Sequence, residues 1–491
     1  MFDLHLFDGV NIAILFIALF VVIVTHPYIF TGHFFQQESS SIQISETILY
    51  FHGLSFHQES AMKTCTTTTT STTLQQGGEA DLSVPHAADG ITRRNFLKSN
   101  SLALAGLPLA AGTAMAADTS PRKIRIGIVG GRFGSSFQWH EHPDCVVEAV
   151  SDLLPDRRER LMKVYGCTKA YNSLEELVRD KDIDAVGVFT DAPLHVQHAV
   201  EAMRHGKHVI SAVPAAACFL EDAERLLDTV KSTGLTYMMA ETSRYQQHTI
   251  SAKQFHDRGL FGRIYYCESE YQHPGLRSLY TRNGKRTWRH GLAPMHYPTH
   301  CTAHLIGVTG ERLTEVVCHG WGDDDIILKD NIYDNPFWNE SAMFRTNRGT
   351  AFRVNVWWEG AHRGCERAQW IGNDMSFYTA HPNGVGSVLI RSQDRMEKDD
   401  AGFERQAPKF EEYEQTEWWK TDMLPEPLRH NSGHHGSHTF LTNEFIDALS
   451  HDRTPSVDIY EALAYTVPGI IAHESALRGG EHMKIPQYDP S

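Results

Sequence analysis

The period of the hydrophobic pattern changes along the chain, and the changes divide it. Between residues 123 and 210, short β-branched runs alternate with helical patterns. Strands are expected at 123–129, 146–152, 185–190 and 208–210, with an amphipathic helix at 174–179 and another helix at 193–205. Strands alternating with helices specify a doubly wound parallel sheet whose ligands sit outside the carboxyl ends of the strands. Beyond Pro214 the pattern turns to period two at 264–272, 313–320 and 350–358, and a final helix at 460–477 is expected to return to the domain interface. The fold class is therefore α/β: an N-terminal Rossmann doubly wound parallel sheet over residues 121–240, then a C-terminal α/β domain over 241–491 for substrate binding and oligomerisation. Two long irregular stretches, 323–339 and 395–431, are expected to be ordered arms that wrap a neighbour or shape a pocket.

The first 120 residues follow neither pattern. Thr92-Arg93-Arg94-Asn95-Phe96-Leu97-Lys98 precedes an apolar run at 102–111 and the small-residue sequence Ala114-Met115-Ala116. Basic, apolar and cleavable regions in that order make a signal peptide, and the paired arginines make it the twin-arginine type. Gly106, Pro108 and Gly112 would be poor residues inside a helix of the folded protein. Residues 10–24 form an apolar run shorter than the about twenty residues of a spanning helix, followed by a Thr-rich tract at 64–73. The segment before Met62 reads as an upstream reading-frame extension, the alternative being a membrane anchor. Residues 1–120 are expected to be disordered or cleaved, and the mature protein to be periplasmic or otherwise extracytoplasmic, with no membrane association of its own.

Composition narrows the ligands. The 491 residues carry 60 acidic and 45 basic side chains, a net charge of -15, which argues against nucleic acid as a partner. The eight cysteines are scattered without CxxC or zinc-finger spacing and read as mostly buried thiols. The 29 histidines include clusters at His296/His300 and His434/His435/His438.

The first strand ends in Gly130-Gly131-Arg132-Phe133-Gly134, after which Ser135-Ser136-Phe137 is expected to open a helix. Glycines let backbone approach a pyrophosphate, and a helix N-terminus offers it N–H groups. A strict GxGxxG would need glycine where Arg132 and Ser135 stand. Asp152, 22 positions after Gly130, is placed to pair with ribose hydroxyls, which favours NAD; Arg157 and Arg158 leave NADP open, and a plain helix cap is the bland alternative for Asp152. The loops from Thr190 to His195 and from Ser211 to Pro214 would border the cofactor crevice.

From Ile124 onward this layout resembles the Gfo/Idh/MocA oxidoreductases. It shares the glycine loop, the acidic end of the second strand, Asp182-Ile183-Asp184-Ala185-Val186, the Thr190 and His195 segment, and Gly206-Lys207-His208-Val209-Ile210. The resemblance implies an open, mostly antiparallel second sheet that mediates homo-oligomers. The family's Glu-Lys-Pro motif is Ala212-Val213-Pro214 here, so the lysine that assists proton transfer is missing. Met295-His296-Tyr297-Pro298-Thr299-His300 offers replacements, because residues four apart share a helix face and imidazole has a suitable pKa for acid–base work. Tyr-Pro-Thr-His is similar to the family's NAD-dependent glycosidases, the α-N-acetylgalactosaminidase type. That resemblance implies active-site roles for Glu241, His296, Tyr297 and His300, and substrate contacts for Tyr271, His273, His434 and His435. Cofactor contacts are implied for Gly130, Gly131, Arg132, Phe133, Gly134, Asp152, Thr190, His195, Val213, Pro214 and Glu241. Cys301-Thr302-Ala303-His304 departs from the branch's glycine-rich continuation.

Three functions follow. The first is an NAD(P)-dependent oxidoreductase acting on a sugar, glycoside or cyclitol. The second is a redox-neutral NAD-dependent glycosidase or lyase working through a 3-keto sugar, in which paired glycosidase carboxylates are unnecessary. The third is a non-catalytic NAD- or carbohydrate-binding scaffold, motivated by Arg132. No metal is expected, since a zinc site from His296, His300 and Glu241 lacks HExxH spacing or a fourth ligand. Residues 280–288 could face a sugar or merely pack, and one tryptophan of each pair, Trp357/Trp358 and Trp418/Trp419, is expected to face the core.

Overall fold

The computed structural model describes residues 122–490, apart from residues 363, 394 and 395. The signal-peptide motif, the apolar run at 10–24 and the Thr-rich tract lie outside the described residues. β1 (Ile124–Val129), β2 (Cys145–Ser151), β3 (Ala170–Tyr171), β4 (Ala185–Val188), β5 (His208–Ser211) and β6 (Tyr237–Met239) form one parallel sheet in the order β3-β2-β1-β4-β5-β6. Its strand order reverses beside β1, where a doubly wound sheet opens its ligand crevice.

Alternate residues of these strands serve two cores. Val129, Val188, Val209 and Met239 pack with α2 (Leu174–Leu177), α3 (His195–Arg204) and α4 (Leu220–Thr233), whose Leu177, Val196 and Leu226 are buried. Ile126, Ile128, Ile210 and Met238 pack instead with Leu161 of α1 (Pro155–Tyr165) and with Phe440, Leu441, Phe445 and Ile446. Those last four come from α7 (Gly433–Ser450), close to the other end of the chain.

The helix expected to open at Ser135 does not form. Residues Phe133–Ser136 and Trp139–Glu141 are single 3-10 turns, and no α-helix separates β1 from β2. The cause is a spacing of two: Phe137 and Trp139 are 1% and 0% exposed, and their rings stack at 5.6 Å. A helix would send residues two apart to opposite sides, whereas extended backbone lets both enter one core. α7 completes the layer that this segment leaves open.

The second sheet is built from β7 (Ile264–Gln272), β10 (Leu313–Trp321), β11 (Asn339–Thr346), β12 (Ala351–Trp357), β13 (Cys365–Gly372), β14 (Met375–Tyr378), β15 (Val388–Arg391), β18 (Lys409–Glu412) and β19 (Met483–Lys484), after a small hairpin of β8 (Thr281–Arg282) and β9 (Lys285–Arg286). It is open and mostly antiparallel, with β7 and β12 its parallel pair. The 395–431 stretch is more regular than expected: β16 (Met396–Lys398) and β17 (Glu404–Gln406) pair, and β18 extends the large sheet. α5 (Gln247–Asp257), α6 (Thr299–Thr309) and α8 (Ile459–Leu477) complete the domain. Trp358 is buried beside half-buried Trp357, as expected, but Trp418 and Trp419 are both half-buried, Trp418 donating from Nε1 to Ser251 Oγ at 2.8 Å. The described cysteines are all free thiols, five of the seven buried.

Candidate active site

The glycine turn closes β1 against its neighbours. Gly130 has φ +102°, and a Cβ there would lie 2.2 Å from the Phe189 carbonyl oxygen; one on Gly131 would lie 2.5 Å from that of Arg157. Neither position admits a side chain without moving backbone. Asp152, at the end of β2, accepts from Gly131 N at 2.7 Å and from Leu154 N at 2.8 Å, so its carboxylate holds the turn that the cofactor would approach. With the first helix replaced by a 3-10 turn, no α-helix N-terminus stands behind Gly134.

Behind the turn, His195 corrects an expectation. It is 2% exposed, and its two ring nitrogens lie 2.8 Å from Pro214 O and 3.0 Å from Thr190 O. Its buried ring sits between the carbonyls of the loops after β4 and β5 and donates to one of them, so it packs these loops together with its side chain turned away from solvent. The Thr190 hydroxyl pairs with His198 Nδ1 at 2.8 Å. Val213, buried beside the cis Val213–Pro214 peptide, belongs to the hydrophobic core. Phe133 stands edge-on to Phe189, His434 and His438, so its ring joins the glycine turn to α7.

Charge is concentrated across the cleft. Glu241 follows β6 and caps a short turn by accepting from Ser243 N at 2.8 Å. Its Oε1 also accepts from His300 Nδ1 at 2.9 Å, and its Oε2 is buried with no partner. Glu366, on β13, lies 3.3 Å from the same His300 nitrogen and accepts a hydrogen bond from Ser243 Oγ. Burial alone would lower the pKa of His300, but the two carboxylates reverse that and hold it well above the usual histidine value. Burial would likewise raise Glu366, yet the His300 charge and the hydrogen bonds from His300 and Ser243 hold it well below the carboxylate range. The surrounding histidines go the other way: burial pushes His248 and His438 down to about 4. His300 is thus the cation of a neutral histidine cluster.

The expected pairing of His296 with His300 does not occur. His296 ends the 3-10 turn Pro294–His296, Tyr297 has φ -130° and ψ 53°, and α6 begins only at Thr299, so helical spacing does not connect the two. His296 is buried against His473, ring centroids 4.6 Å apart, and burial holds its pKa well below the usual value. The pair that does share a face is His300 and His304. His304 Nδ1 lies 2.7 Å from Ser269 Oγ, and its Nε2 lies 3.3 Å from His248 Nε2.

Tyr271 and Tyr297 line the other side of His300, with ring centroids 4.5 Å and 5.4 Å from it. Exposed His273 lies beside Tyr271 at 6.1 Å. His434 and His435 are exposed in left-handed backbone, φ 49° and 58°, ahead of Gly436. His434 Nδ1 pairs with His438 Nε2 at 2.8 Å. Sequence reasoning missed Glu366, Ser243 and His304 with its partners Ser269 and His248. Glu366 is directly opposite Tyr271 in the β13–β7 register, a relation that no local motif announces.

Residues 124–241 match the family described as "Oxidoreductase family, NAD-binding Rossmann fold", and residues 384–490 match "Glycosyl hydrolase 109, C-terminal domain". The first domain thus matches the Gfo/Idh/MocA oxidoreductases, and the C-terminal segment matches the glycosyl hydrolase 109 branch of that group. A "Glycosyl hydrolase family 109 protein" from Solibacter usitatus is 25% identical over 452 residues, covering 82% of this chain and 97% of the relative. One of the same name from Streptomyces coelicolor is 25% identical, covering 77% and 85%. The fold is shared with apo scyllo-inositol dehydrogenase from Lactobacillus casei (18% identical, TM-score 0.53, covering 74% and 98%) and with an NAD binding oxidoreductase from Klebsiella pneumoniae (16%, TM-score 0.60, covering 74% and 100%).

The matched segment is an NAD-binding Rossmann fold, and its glycine turn, packed tightly against the Phe189 and Arg157 backbone, lies beside Asp152 at the end of β2. Glu241, His300 and Glu366 present ligand atoms within 4.8 Å of one another, a spacing that a cation could bridge only by displacing the proton they share. No helix among the described residues is long and apolar enough to cross a membrane.

Proposed function

We propose that this enzyme cleaves a glycoside, or eliminates its C1 substituent, without net redox change, using NAD held at the glycine turn. The observation that carries the reading is His300, ion-paired to Glu241 and Glu366 in a chain that has Val213 where the resembled motif has lysine. An imidazolium is already protonated and can give a proton to a departing oxygen, a step that net dehydrogenation does not need; the hydroxyl proton released as hydride leaves carbon goes to another group, Tyr297. Nδ1 is committed to the carboxylates, so Nε2 is the donating atom.

The residues present fit NAD. Gly130 and Gly131 let the turn pack closely on the Phe189 and Arg157 backbone, Arg132 stands at the turn, and Asp152 carries acceptor capacity at the end of β2. The chemistry NAD supplies when bound is reversible acceptance of a hydride from a sugar carbon. Tyr297, half-buried with an oxygen that makes no hydrogen bond among the described residues, is in its phenolate form the proton acceptor beside the His300 charge. Tyr271 and the exposed His273, His434 and His435 line the substrate side. The substrate is a small carbohydrate.

The test is a panel of glycosides assayed in D2O with protein purified without added cofactor. Cleavage with deuterium entering sugar C2 is expected. Cleavage without exchange refutes the elimination route, and stoichiometric NADH with intact glycoside establishes net dehydrogenation instead. The reading includes export by the twin-arginine route, supported by Arg93 and Arg94, and self-association through the open face of the large sheet. Signal cleavage mapped by N-terminal sequencing and mass measured in solution test these two.

A further inference from the structure

The loop at 280–288 is not accounted for by the chemistry at His300, yet it carries much of the positive charge near the cofactor turn. Arg282 is exposed on the β8–β9 hairpin and lines a groove of about 480 Å³ together with Arg132 of the glycine turn and Arg157 and Arg160 of α1. None of these four guanidiniums has an ion-pair partner among the described residues, and Asp156 is the one acid in the lining. In a chain of net charge -15, four unpaired arginines around one groove are a site for an anion, and Arg157 and Arg160, three apart on α1, face it together. Arginine is suited to the planar, forked recognition of phosphate oxygens.

The hairpin is built to hold its position. Thr287 N donates to Tyr280 O at 2.8 Å, and Tyr280, 1% exposed, stacks on Trp338 at 5.1 Å. At the tip, Asn283 and Gly284 have φ 51° and 72°, as a two-residue hairpin turn requires. A buried aromatic base and a basic tip thus bring the second domain over the glycine turn of the first.

We propose that the β8–β9 hairpin is a cofactor strap: Arg282 closes from above on the phosphates of a dinucleotide whose other side meets Arg132, Arg157 and Arg160. The groove borders Gly131, so the anion is a nucleoside diphosphate and not a free sugar acid. The inference rests on the NAD reading above, and it adds that the second domain slows cofactor release, which suits a cycle in which the cofactor is never exchanged.

The test uses the full folded enzyme. NAD release is timed by dilution into excess ADP-ribose, following bound NAD by chromatography, for wild type, Arg282→Ala and Arg160→Ala. Both side chains are exposed, so folding is expected to match wild type by circular dichroism and by Tm of the cofactor-free protein. Each substitution is expected to speed release by about tenfold, as loss of one charged phosphate contact should, and wild-type release should accelerate with salt. Release unchanged in both variants, with NAD bound, overturns the strap alone. Wild-type protein that neither retains NAD nor binds it on titration overturns the cofactor reading and the strap with it.

Discussion

The His300 charge depends on two carboxylates, and Glu366→Gln removes one of them without removing the side chain. The amide keeps the size of the carboxylate and an oxygen that can still accept from Ser243 Oγ. What is lost is a negative charge 3.3 Å from His300 Nδ1 at a side chain 6% exposed, where solvent screens little. A hydrogen bond to a charged group contributes about 1.5–3 kcal/mol, or about one to two pH units of His300 pKa. The direct Coulomb attraction at this distance, about 5 kcal/mol at an effective dielectric constant of about 20, sets the upper bound. Because the Glu241 bond at 2.9 Å survives, His300 should stay above the value that burial alone would impose.

The sign follows from the raised pKa. An acid that acts through the imidazolium is present below the His300 pKa and lost above it, so the alkaline limb of kcat belongs to His300 and should move down by about one to two pH units in the variant. Stability responds likewise: the His300 contribution is full below the unfolded value of 6.5 and is lost as pH rises through the folded pKa. Glu366, whose pKa is depressed, contributes above its unfolded value of 4.5, and that part is lost as pH falls. Two measurements settle the matter: the pH profile of kcat, and NMR titration of the His300 ring in both proteins. A wild-type His300 that titrates near 6.5, or an alkaline limb that Glu366→Gln leaves in place, refutes the argument.

Three other substitutions test separate parts of the structure. Gly131→Ala puts a Cβ 2.5 Å from the Arg157 carbonyl, so backbone must shift; a loss of about 1–3 kcal/mol in denaturant unfolding and weaker NAD binding by titration calorimetry are expected. His296→Leu replaces a ring whose Nδ1 is buried without a partner, and kcat should stay within about threefold of wild type, since losing an unsatisfied polar group costs little; a loss as large as that of His300→Gln would return His296 to the reacting centre. His195→Ala removes the buried ring and its one N–H donor between the carbonyls of Thr190 and Pro214 and should destabilise by about 1–3 kcal/mol, seen as a lower Tm, with NAD affinity falling because the loops it packs border the crevice.

How much could be read beforehand depended on whether a feature was local. Strands such as Ile264–Gln272 announce themselves by alternation, and Glu241 and His300 stand at the ends of elements, where a short motif fixes position. Reading failed where tertiary burial outweighed local pattern: Phe137 and Trp139 pulled the segment after the glycine turn away from helix, and Pro298 separated His296 from the helix of His300. Glu366 was beyond reach for another reason. Its place opposite Tyr271 is set by how β13 pairs with β7, and its bond from Ser243 by how that strand meets the turn after β6; a hydrophobic pattern reports which face is buried without naming the neighbour. His304 shows the same limit within a helix. Its four-residue step from His300 is plain in the sequence, but that Ser269 receives it depends on which residues of β7 face α6, a fact of register and not of period.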